Sequence, residues 1–515
     1  MTRITKLLST IPRIAVLCAT LLLSACLHAE KAPVRAGSVG PSETAARVPK
    51  AVKPTSTQEL EIADLSRIPQ DLHPLAAAAG DRLSFTDTCR AQLNGEFQSR
   101  FYAPWSAAPH RFNPIESREF MKQEGQATWY GPNKRKLPPK LMQEFMENCA
   151  LENFPSRNDT AISVAPGHLR GLPTYLPLFQ SAEDYPFDML SYPQVKLNEP
   201  LRVLHESRDG VWLFVETGYT NGWLERRDVA LVDHSFIKAW MQAPHLVVVE
   251  DYASIPDGRG VGVSRSKVGT ILPLAGEEGG SWEVAIASAG EGGEVQNRTV
   301  HIPRGAAAKF PLEFNRENVG LIGNQLLGDP YGWGESYDLR DCSAMLRDFF
   351  LPFGIWLPRT SADQVASVPH RVELVRMTPA EKESAILSTG IPFQTLLYKP
   401  GHIMLYVGVD SDGRPLVFHD AWSISLKASS AEPSGGSSGP AAEGAIKNGV
   451  DTNGVECKVV GDGPRTQIIG ASAITTLEPG KELGLVPGSS LLERITELAV
   501  IPNRCQKHTR PDPPR

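Results

Sequence analysis

Asp341-Cys342-Ser343-Ala344-Met345-Leu346-Arg347-Asp348-Phe349-Phe350 is the stretch on which the reading of the C-terminal half turns. Asp341 is a good helix N-cap, and Leu346, Phe349 and Phe350 share one helical face. That predicts a helix with Cys342 as its first residue. A helix N-terminus favours an anion, so it lowers a thiol pKa, and its free N–H groups can hold an oxyanion. Taken alone, Cys342 reads more readily as a small buried cysteine at a helix start.

Two histidines further on change that balance. His402 opens the strand-like run Ile403 to Val409, and His419 lies in the run Leu416 to Asp420. Between them Asp410-Ser411-Asp412-Gly413 reads as a turn. A four-residue loop makes Val409 and Arg414 the flanking pair, so position 404 faces 419 and 402 faces 421. Directly opposed residues, and residues two apart on one strand, share a face. His402 and His419 then fall on one face of the hairpin, provided no odd loop or bulge intervenes. A thiol with two histidines on one face supplies a nucleophile, a base and a group that orients the base. Zinc is the competing reading of Cys342, His402 and His419, but the long spacing and the missing second cysteine disfavour it, so neither metal nor cofactor is expected.

Working outward, the 515 residues are 41% hydrophobic and 21% charged, with a net charge of −6. That composition suits several globular domains and offers no basic field for nucleic acid. Arg3, Lys6 and Arg13 precede a short apolar run ending in Leu23-Ser24-Ala25-Cys26, which reads as a lipoprotein signal over 1–26 with Cys26 as the lipidated residue. Residues 27–58 read as a disordered tether that spans about 100 Å when extended. Residues 59–159 read as helical and irregular, with an amphipathic period in Pro139–Asn148 and an aromatic cluster at Phe101-Tyr102-Ala103-Pro104-Trp105 expected to pack on a neighbouring domain. Short alternating runs over 160–232, with Arg208-Asp209-Gly210 as a hairpin turn, predict a small barrel. Residues 233–302 repeat that style and predict a second one. Residues 303–505 give helices first and strands later, an α+β order, interrupted by a Gly/Ser-rich insertion at 428–456. The tail 506–515 is expected to be disordered.

Of the cysteines, Cys89, Cys149, Cys342, Cys457 and Cys505 remain after the leader. An odd number in an exported chain suggests pairs plus one reactive thiol, and the expected pairs are Cys89–Cys149 and Cys457–Cys505.

Five motifs stand in order: Leu327-Gly328-Asp329-Pro330-Tyr331-Gly332-Trp333-Gly334, Asp341-Cys342-Ser343, the run from Gly354 to Gln364, Pro400-Gly401-His402-Ile403-Met404-Leu405-Tyr406-Val407-Gly408, and Phe418-His419-Asp420-Ala421-Trp422. With them the chain resembles the NlpC/P60 family of papain-like cell-wall cysteine peptidases, in the branch with a helical stabilising segment and two SH3-like modules. The resemblance implies hydrolysis of the bond between D-γ-glutamate and an L-diamino acid in peptidoglycan stem peptides or muropeptides. It implies Cys342 as nucleophile, His402 as base and His419 as the third polar member. It places Tyr331, Asp341, Ser343 and Ser361 along the substrate pocket. In that branch the first SH3-like module helps read the free amine of an N-terminal L-alanine, and Asp188 and Tyr219 are the candidates here. Where the family often has a second glycine after Trp333-Gly334, this chain has Glu335, a negative charge expected close to the groove. The chain is expected to be a monomer held to the outer membrane, facing the periplasm. A peptidoglycan-binding scaffold without activity, or an amidase or acyltransferase on the same fold, are the alternatives.

Overall fold

A computed structural model describes residues 61–106, 112–258, 263–369, 371–427 and 465–505. The leader with Cys26, the tether, the insertion, Cys457 and the tail lie outside the described residues. Among the described residues no helix is long and apolar enough to cross a membrane.

The N-terminal region is helical, with Leu72–Ala79, Asp87–Phe101, Pro114–Gln126 and Pro139–Asn148 as its longer helices. Asp71, Thr86 and Asn113 cap three of them by accepting a backbone N–H in the first turn. Residues 159–231 form a seven-stranded antiparallel sheet. Its hairpin at Arg208-Asp209-Gly210 joins Pro200–Glu206 to Trp212–Glu216. The second barrel does not begin with strands as the sequence suggested. It opens with the helix His234–Gln242, which buries Ile237 and Trp240 and is capped by Asp233. The apolar residues of this helix follow a helical period that the flanking β-rich composition obscured.

The C-terminal part is α+β. Its six-stranded antiparallel sheet runs in the order Arg371–Glu373, Glu497–Val500, Thr395–Lys399, His402–Val409, Pro415–Leu426, Arg465–Thr476. The helix Cys342–Phe350 lies on the two histidine-bearing strands, and every one of its residues is buried.

The aromatic cluster of the helical region joins the other parts together. Trp105 donates its indole N–H to Ala161 of the first barrel (2.7 Å), the Tyr102 hydroxyl lies 3.1 Å from His245 of the second, and Phe97 meets Trp356 edge-on. One apolar core runs through all four parts and includes Phe97, Trp105, Ile162, Trp240, Phe349 and Phe418.

A buried ionic network reinforces it. Arg340, fully buried, binds Asp251 of the second barrel through two nitrogens at 2.7 Å each, and binds Asp329 and Asp348 at 2.9 Å each. Lys196 of the first barrel reaches Asp348 at 2.6 Å. Removing one member of such a network leaves uncompensated buried charge, at a cost of about 3–5 kcal/mol. The second barrel is thereby fixed through Arg340, the residue before Asp341, and the first through Asp348 in the helix that Cys342 begins.

The disulfide pairing differs from the expectation. Cys89 is bonded to Cys505, closing a separation of 416 residues, and Cys149 is a free thiol. Cys149 is buried in a separate apolar cluster with Trp129, Phe154 and Leu204, away from the core that holds Cys89. Spacing along the chain carries no information about that separation.

Candidate active site

Asp341 caps the helix as its sequence implied, accepting the Ala344 N–H at 2.9 Å. Cys342 follows as the first helical residue, and the Ile403 backbone N–H donates towards its sulphur. His402 Nε2 and His419 Nδ1 lie 2.8 Å apart. Cys342 and His402 keep 7% and 8% of their exposure and His419 only 1%, so the first two border the groove and the third stands behind them.

The hairpin reaches this arrangement by an unexpected route. Val409 pairs with Pro415, so the loop is odd, five residues long rather than four. A bulge between Tyr406 and Gly408 then adds one residue to the first strand, and from Tyr406↔Val417 onward the expected register returns. Either feature alone would put the histidines on opposite faces, and together they cancel.

Thr475, absent from the sequence reading, completes the arrangement. Its hydroxyl lies 3.0 Å from His419 Nε2 and 2.8 Å from the Thr476 carbonyl oxygen. A carbonyl only accepts, so the Thr475 hydroxyl donates to it and must accept from His419 Nε2–H. His419 Nδ1 is then the acceptor for His402 Nε2–H. The lone pair of His402 Nδ1 is left free, which is the tautomer a base needs. Burial holds both imidazoles neutral: His402 lies well below its usual value, helped by His419 and Lys399, and His419 is lowered to about 3.

Electrostatics around the sulphur run against the expected helix effect. Burial first, then the Asp341 charge, push the Cys342 thiol up to about 12, while Arg359 works in the opposite direction. Both shifts favour the thiol and the neutral imidazole over the thiolate and imidazolium. Asp420, beside His419, is fully buried and is pushed well above the carboxylate range by burial and by Asp341 and Asp329.

The other predicted residues divide into two groups. Asp341, Ser343 and Tyr331 stand beside the thiol. Ser343 Oγ donates to Asp341 at 3.0 Å, and Tyr331 lies against Trp422 with a centroid distance of 5.9 Å. Ser361 opens the helix Ser361–Ala366 two residues beyond Arg359. Arg359, quoted in a motif but given no role, organises this side. It binds Asp341 at 2.6 Å, Ser343 at 2.8 Å and Glu335 at 2.9 Å. Glu335 itself is fully buried at φ 66°, a backbone region that favours glycine, and its charge is met by Arg359 and Arg347 rather than presented to the groove.

Asp188 and Tyr219 are both engaged by neighbouring groups of the protein. Asp188 is held by Arg170 at 2.6 Å and by the N–H groups of Leu178 and Leu190. Tyr219 donates to the Gln194 carbonyl at 2.9 Å, with the Arg347 guanidinium 3.9 Å above its ring. Both serve the interior of the first barrel or its seam with the catalytic domain. The residue of that module that does meet the cleft wall is Phe187, whose ring packs edge-on against both Trp333 and Trp422.

A cysteine at a helix start packed on the histidine-bearing strands of an antiparallel sheet, preceded in the chain by two small barrels, is the layout of an α+β papain-like fold. Residues 15–154 match the NLPC_P60 stabilising domain, 173–225 the SH3 domain of SH3b1 type, 233–278 the SH3 domain of SH3b2 type and 328–433 the NlpC/P60 family. Residues 328–433 thus form an NlpC/P60 domain, of a family of cysteine peptidases, behind a stabilising domain and two SH3-type domains. Dipeptidyl-peptidase 6 of Lysinibacillus sphaericus is 25% identical over 217 residues, which are 41% of this chain and 74% of that protein. The fold is shared with an NlpC/P60 endopeptidase from Photobacterium damselae subsp. piscicida, at TM-score 0.71 and 20% identity over 84% of this chain and 97% of that one.

Proposed function

We propose that the chain is a peptidoglycan stem-peptide endopeptidase that hydrolyses the bond between D-γ-glutamate and an L-diamino acid such as diaminopimelate. The observation that carries the chemical part is the one-way donor chain from His402 through His419 and Thr475 to a carbonyl, set behind Cys342. The choice of bond rests on the family and its motifs.

Cys342 Sγ attacks the γ-carbonyl of D-glutamate as its proton passes to His402 Nδ1. Free N–H groups at the start of the Cys342 helix are suited to hold the oxyanion. His402, now protonated, gives that proton to the departing amine, and the acyl-enzyme remains on sulphur. A water molecule, deprotonated by His402, releases the acid and restores the thiol. His419 keeps the base in its working tautomer.

The preference for a free N-terminal L-alanine is part of the same reading. It rests on the first barrel, whose Phe187 packs on Trp333 and Trp422 at one side of the cleft. Export and anchoring through Cys26 complete the proposal.

Product analysis tests it. The protein is incubated with L-Ala-γ-D-Glu-diaminopimelate peptides, free and sugar-linked. Release of L-Ala-D-Glu from the free peptides alone is expected. Cleavage of sugar-linked stems would overturn the free-amine preference, and residual activity in Cys342→Ala would overturn the nucleophile.

A further inference from the structure

Three neighbouring strand ends place a stripe of cations beside His402. Lys399 ends the strand Thr395–Lys399 and pairs directly with His402, the first residue of the next strand. Directly opposed residues of an antiparallel pair share a face, with Cβ atoms about 4.5–5.5 Å apart. Arg494 closes the helix Leu491–Arg494, just ahead of the strand Glu497–Val500 that flanks Thr395–Lys399 on its other side. His419 lies across His402 from Lys399, so Lys399 faces the flank of the base that the orienting histidine leaves open.

Among the described residues no carboxylate forms an ion pair with Lys399 or Arg494, and each cation disfavours the other's neighbourhood. The charge of Lys399 is felt at His402 and at His419. A half-buried lysine near a second cation, with no acid beside it, is an unfavourable arrangement unless an anion arrives. The opposite flank differs in kind: there Arg359 is already matched by Asp341 and Glu335.

We propose that Lys399, supported by Arg494, is a carboxylate-binding subsite on the leaving-group side of His402, selecting substrates whose amine-side residue carries a free carboxylate. The inference deepens the proposed function and rests on its assignment of His402. The base returns its proton to the leaving amine, so the leaving residue sits beside His402, and its carboxylate falls within reach of Lys399. That carboxylate is either the α-carboxylate of the diamino acid or the distal carboxylate of diaminopimelate.

The test compares three peptides with the full chain: L-Ala-γ-D-Glu-L-Lys with a free α-carboxylate, the same peptide as its amide, and L-Ala-γ-D-Glu-diaminopimelate amidated only at the α-carboxylate. A charged hydrogen bond of this kind predicts kcat/KM about tenfold to a hundredfold higher for the peptide whose carboxylate is read. Preference for the first peptide identifies the α-carboxylate, and preference for the third the distal one. Lys399→Met should collapse the ratio between acid and amide substrates towards unity, and Lys399→Arg should retain it. Equal kcat/KM for all three in the unsubstituted protein overturns the subsite. So does a Lys399→Met variant that slows all three by one common factor, because the lysine would then act on the thiol and not on the substrate. If none of the three is cleaved, the endopeptidase reading itself falls, and the subsite with it.

Discussion

Alkylation of Cys342 by iodoacetamide reports whether the resting nucleophile is a thiol or a thiolate, since only the thiolate reacts. Burial and the adjacent Asp341 carboxylate push this thiol up to about 12. An exposed cysteine titrates at about 8.5, so at neutral pH the thiolate fraction at Cys342 is lower by about three orders of magnitude. The alkylation rate should therefore begin far below that of a free cysteine. It should rise about tenfold per pH unit from 7 to 10 without levelling off. Two substitutions test the causes separately. Asp341→Asn keeps a helix cap but removes the negative charge, and should speed alkylation. Arg359→Met removes a cation that favours the thiolate, and should slow it. Mass spectrometry of the peptide containing Cys342 keeps the signal distinct from Cys149, whose burial also raises its thiol to about 12. A rate that is flat between pH 5 and 9 and comparable to a free cysteine would refute the reasoning. It would mean that the imidazole already holds the proton.

Three further outcomes follow from the same geometry. Because burial and His419 hold His402 well below 6.5, the base stays unprotonated in mild acid, so the acid limb of kcat/KM should lie below that of an ordinary imidazole; a limb at or above pH 6.5 would contradict this. Thr475→Val removes the acceptor that fixes the tautomer of His419, and should lower kcat roughly tenfold or more with little change in KM; an unchanged kcat would remove Thr475 from the chain of donors. Arg340→Met strips a shared partner from Asp251, Asp329 and Asp348 and should cost about 3–5 kcal/mol in urea denaturation at neutral pH. Asp348 is held below its usual range in the fold, so that part of its stability is present above about pH 4 and fades as pH falls further; the gap between the two proteins should narrow below about pH 4, and a gap that widens there would refute the account.

The sequence disclosed the parts whose local rules are strong. Asp341 is a cap because a short acceptor precedes an apolar helical run, and the helix begins where that rule puts it. The two histidines fall on one face as strand parity predicts, but only because an odd loop and a bulge, neither legible in the sequence, cancel. Arg359 and Thr475 were not legible either. Each acquires its role from a partner that the fold brings across the chain, and neither residue type announces such a role. Lys399 stood one turn before His402 in the sequence, but only the strand pairing shows that the two are opposed. The partners of Asp188 and Tyr219 were hidden for a related reason. A polar residue in a barrel-forming segment is as readily recruited to the barrel interior as to its rim, and the alternation of a short, turn-rich segment does not tell which. The cysteine pairing failed because Cys149 and Cys89, although separated by a modest stretch of chain, belong to different apolar clusters.

The odd loop and the bulge between Tyr406 and Gly408 act together as a parity check on the catalytic hairpin. A single-residue deletion in the loop, harmless in most surface turns, would here send His402 and His419 to opposite sides of the sheet unless the strand also lost its extra residue. Length changes in this turn are therefore coupled to the strand. Relatives that differ there by one residue should carry a straight strand, and those that differ by two should keep the bulge.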